Sequence, residues 1–90
     1  MTEAGATGDV AGPSTTVLFD VLAEVEGQLR ACYLERFRDD RNPADERAAW
    51  WDKVTGLRDE FQQVGHDDRG RITDLLDQWR QELTLLRDDR

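Results

Sequence analysis

From Leu18 onward the apolar positions return in alternating steps of four and three, at Leu18, Leu22, Val25, Leu29 and Cys32, with Val21 and Tyr33 widening the stripe. Residues three and four apart share one side of an α-helix, so this spacing predicts a helix with a single apolar face. The rhythm recurs twice. Trp50, Val54, Leu57, Phe61 and Val64 form a second stripe, and Ile72, Leu75, Leu76, Trp79, Leu83 and Leu86 a third. Steps averaging about 3.5 residues predict left-handed, coiled-coil-like wrapping.

Local signals place the boundaries. Residues 1 to about 13 are Gly, Ala, Thr and acid with almost nothing to bury, and read as a disordered tail. Pro13 and Ser14-Thr15-Thr16 supply a stop and several candidate N-caps. Asn42 is the expected N-cap of the second helix, with Pro43 at its first position and Asp45 and Glu46 near the positive end of the dipole. Gly65 suits a left-handed C-terminal cap, and Asp67 or Asp68 can open the third helix. The resulting expectation is all-α: helices at about 16–38, 43–64 and 68–87, joined by short links into an antiparallel three-helix bundle spanning 14–90.

Charge narrows the function. Twelve Lys and Arg against 20 Asp and Glu give a formal net charge of −8. Such a field repels phosphate backbones and anionic lipid, so neither nucleic acid nor a membrane is an expected partner. A protein mimicking DNA to occupy a basic groove fits the same charge. No run of 18 apolar residues and no basic-then-apolar leader occurs, and the expected location is cytoplasmic.

Candidate chemistry is sparse. The single cysteine, Cys32, falls on an apolar stripe and reads as a small core residue. The single histidine, His66, follows Gly65 and reads as a solvated loop residue. No Cys/His cluster or Glu-x-x-His pattern is present to hold a metal, and no cofactor is expected. Asp45, Asp52 and Asp59 repeat every seven residues about 180° from the Trp50 stripe, facing water. Acid-base work needs carboxylates converging in a pocket. These do not converge, and an enzyme is not expected.

The adjacent tryptophans carry the remaining information. Trp50 lies on the second stripe and is the expected core residue, whereas Trp51 points about 100° away. Arg47 and Arg58 share the flank of Trp51, and Arg69, Arg80 and Arg87 share the corresponding flank of the third helix. Corresponding flanks meet in an antiparallel pair, so these five arginines are expected to line one side of the hairpin around Trp51. Two outcomes follow. Either the first helix covers that side with Glu24, Glu35 and, further round, Asp20, or the side stays open for an acidic partner with an apolar anchor. Leu34, Phe19 and Phe37 also fall off the stripes, and with Trp51 they would form an apolar patch. The expected function is a small acidic, non-enzymatic protein–protein interaction module, with another protein or a second copy as partner. The alternative is a small all-helical enzyme or ligand-binding bundle.

Overall fold

The computed structural model describes residues 14–88, and the expected tail at 1–13 lies outside them. Three helices follow in order: α1 (Thr15–Arg38), α2 (Ala44–Gln62) and α3 (Arg69–Asp88), with no strand among the described residues. The fold is an all-α three-helix bundle.

Each terminus has a chemical cause. Ser14 is extended, and its hydroxyl accepts from the Val17 N–H at 3.2 Å, satisfying a donor that the first turn of α1 leaves free. At the other end the Asn42 side chain donates to the Arg36 carbonyl at 3.1 Å. Asn42 therefore closes α1 instead of opening α2, and the cap of α2 is Pro43, which makes no side-chain capping bond. The link is held by a fork between Arg41 and Asp39, with both N–O distances 2.9 Å. The guanidinium and the Arg41 backbone N–H together pull the Asp39 carboxyl down to about 2. The left-handed glycine cap expected at Gly65 is absent. Helix α2 ends instead in a tight turn, with the Val64 N–H bonded to the Phe61 carbonyl at 3.2 Å and Val64 itself buried. Asp68 opens α3 by accepting from the Arg71 N–H at 3.1 Å.

The four side chains most completely removed from solvent are Leu22 and Leu29 of α1 and Ile72 and Leu75 of α3. Helix α2 adds only Val54 and Leu57 to the fully buried set. Stripe residues Leu18, Cys32, Trp50, Phe61 and Leu86 pack on this core while remaining partly exposed. The core tryptophan is Trp79, 5% exposed, and not Trp50. Helix α1 lies against both neighbours, whereas no Cα of α2 comes within 8 Å of one in α3. Large side chains fill that wider seam: the rings of Phe61 and Trp79 have centroids 6.5 Å apart, Lys53 pairs with Glu82 at 3.7 Å, and Arg71 with Glu60 at 2.7 Å.

Candidate functional site

Handedness decides which flanks meet. Helices α2 and α3 do present like flanks to each other, but the flanks in contact carry Lys53 and Glu60 on one side and Glu82 and Arg71 on the other. The arginine flank of α3 turns towards α1, where Arg69 and Arg87 are bonded, while Arg47 and Arg58 share the helical row of Trp51, whose ring lies on Phe37 of α1. The five arginines are therefore split between two seams.

On the α1–α3 seam, Arg69 donates to the Thr15 hydroxyl at 3.3 Å and Arg87 reaches the Gln28 amide oxygen at 3.5 Å. Arg80 shares a shallow groove with Glu24, and Arg87 lies in a second one with Cys32 and Glu35. Here exposed acid of α1 lies beside exposed base of α3. Replacing Arg80 by Glu sets acid against Glu24, and thermal unfolding followed by circular dichroism should show a loss of about 0.5–1 kcal/mol. Arg58→Glu changes the net charge equally, yet should stay within about 0.5 kcal/mol of the parent. Equal losses would place both arginines against the same acid.

The α1–α2 seam carries Trp51, Arg47 and Arg58. Trp51 is 44% exposed, and its ring packs on Phe37 with centroids 5.2 Å apart. No cation sits over it among the described residues. Arg36 stacks on Trp50 at 5.2 Å, with Lys53 on the same ring at 5.8 Å, so the tryptophan that takes cations is the half-buried one. Arg58 is exposed, in a shallow groove with Thr55, Asp59 and Gln62. Arg47 is half-buried, and its Nε is shut off from solvent with no acceptor among the described residues. Leu34 is partly buried on the α1 side of this seam. Phe19 lies at the other end of the bundle, against Phe61 at 5.3 Å and His66 at 4.3 Å, so His66 is an exposed residue that covers a ring.

Two polar features were missed by pattern reading. Glu26 is 5% exposed on the α2-facing side of α1 and pairs with Arg30 at 3.5 Å. The Glu-x3-Arg spacing beside the Leu22–Leu29 stripe is the signal that could have found it. Tyr33, buried at the junction of all three helices, donates its hydroxyl to Glu82, while Lys53 lies over its ring at 5.5 Å. Burial, reinforced by the bond to the Glu82 carboxylate, raises the Tyr33 phenol well above its ordinary value.

Among the described residues no His, Cys, Asp and Glu side chains cluster so as to hold a metal, and no helix is long and apolar enough to cross a membrane. Comparison with protein-family models, with curated proteins and with solved structures gives no match.

Proposed function

We propose that this protein is a small, acidic, non-enzymatic interaction module that engages another protein through the face bearing Trp51. The observation that supports this reading is Trp51 itself. Trp51 packs on Phe37 yet stays 44% exposed, with no cation over its ring among the described residues, and tryptophan and arginine are the residues most enriched where binding energy concentrates. An enzyme or ligand-binding bundle would need buried polar groups aimed into a shared cavity. Glu26 is turned to Arg30 and Tyr33 to Glu82, so among the described residues Arg47 Nε alone is buried without a partner.

The test is p-benzoylphenylalanine in place of Trp51, irradiated in the native cell, with the same substitution at exposed Asp77 as control. A discrete adduct with one protein, or with a second copy, formed from position 51 alone is the expected result. Trp51→Ala should abolish that complex while lowering stability by no more than about 1–2 kcal/mol. Identical adducts from both positions, or none from position 51, would end the proposal.

A further inference from the structure

We infer that the α1–α2 groove is a docking site for an acidic peptide segment of the partner, which seats one large apolar side chain on Trp51 and places carboxylates on Arg47 and Arg58. This deepens the interaction reading above and rests on it.

Charge complementarity argues for this occupant. On a chain of net charge −8, Arg47 and Arg58 share the Trp51 row of α2 by helical spacing, and Arg30 lies on α1 one turn after Glu26. The nearby acids are Glu26, which is buried and paired with Arg30, and Asp59, which shares the shallow groove of Arg58. Neither Arg47 nor Arg58 has an ion-pair partner among the described residues. The contrast with the α1–α3 seam, where Glu24 and Glu35 lie beside Arg80 and Arg87, is one of sequence position on α1. The α2-facing rim of α1 runs through Ala23, Arg30 and Leu34 and offers no exposed acid. Arg47 is partly prepared for a carboxylate, because its Nε has already left water and its guanidinium has less hydration to lose when a charged acceptor arrives.

Spacing restricts the ligand further. Arg47 and Arg58 are eleven residues apart on one helix, or about 16 Å along its axis, with Trp51 roughly 6 Å from the first. An extended segment would match this with acids about five residues apart, a helical one with acids about eleven apart, and an apolar residue between them nearer one end. A second copy of this chain fits poorly. Its own outward acidic row, Asp45, Asp52 and Asp59, has a pitch of about 10 Å, and like net charges repel.

The test pans a random library of displayed peptides, about 16 residues long, against the full chain at low salt, then titrates the consensus peptide into the parent, Trp51→Ala and Arg58→Glu. The expected consensus is acidic around one large apolar residue. Its affinity should fall about tenfold or more in each variant, and several-fold when salt rises from about 20 to 200 mM. Arg58 is exposed, so Arg58→Glu should keep the helicity of the parent and report on binding alone. A basic or uncharged consensus, no enrichment, an affinity indifferent to Arg58→Glu, displacement of the peptide by a single-stranded oligonucleotide, or a dimer that the peptide fails to dissociate would each overturn the inference. A cellular adduct at position 51 made through a basic or neutral segment sinks the acidic ligand and leaves the module standing. Failure of the module reading shows separately, as the absence of any adduct specific to position 51.

Discussion

Trp79→Ala should lower stability by about 3–5 kcal/mol, close to the whole folding free energy of a domain this small. The ring is 5% exposed and lies against Phe61 at 6.5 Å, in the seam where α2 and α3 stay too far apart for their backbones to close over a gap. A cavity there cannot be filled by a small backbone shift, so the loss combines transfer and void. Trp50→Ala removes a half-buried ring that touches Tyr33 at 5.7 Å and carries two cations, and should cost only about 1–3 kcal/mol. Urea denaturation of the two variants side by side measures the difference. Equal shifts in midpoint would mean that Trp50 and Trp79 share one core.

Alkaline pH should unfold the parent protein more steeply than Tyr33→Phe. Tyr33 is the only tyrosine, so the absorbance at about 295 nm that the parent gains over Tyr33→Phe reports its ionisation, the three tryptophans being common to both proteins. Its folded-state value lies above that of the unfolded chain, where a phenol titrates near its ordinary value of 10.0. Below that pH both states hold the proton and the shift has no effect. Above it the unfolded chain loses the proton and the folded chain keeps it, so stability falls as pH rises. The upper limit is about 1.4 kcal/mol for each pH unit beyond the unfolded value, and solvent near the hydroxyl reduces it. Phenolate absorbance should therefore appear together with loss of helicity. Phenolate formed at pH 10 in a chain that stays fully helical would contradict the burial and the bond to Glu82. Comparison with Tyr33→Phe removes the contribution of Lys53, which both proteins carry.

The three stripes, the Ser14 cap and the acidic first turn of α2 are visible in the sequence because each depends on residues within a turn or two of one another. Trp51 was legible as a flank residue for the same reason. What failed was anything decided by the third helix. Like flanks meeting in an antiparallel pair is a rule with two solutions, and left- and right-turning bundles satisfy it equally. The choice made here sends Arg80 and Arg87 to Glu24 and Glu35, and leaves Arg47 and Arg58 beside Trp51. Trp50 was misjudged because a stripe position fixes direction and not depth. It points inward in the second turn of α2, where the Arg36 and Lys53 side chains are its cover. Asn42 had two helix ends within reach, and spacing alone does not say which one its amide serves.

The wide seam between α2 and α3 also governs what holding the chain together costs in entropy. Helices next to each other in sequence usually close on each other through a short loop, but here α3 is tied chiefly to α1. Its bonds to α1 join residues far apart along the chain: Tyr33 to Glu82 across 49 positions, Arg36 to Leu86 across 50 and Thr15 to Arg69 across 54. Closing a loop of that size costs about 1 kcal/mol more than closing the one that brings Tyr33 to Trp50. The first helix is thus the common wall on which both others lean, and without it the α2–α3 pair would keep Phe61 against Trp79 and two ion pairs but no close backbone approach.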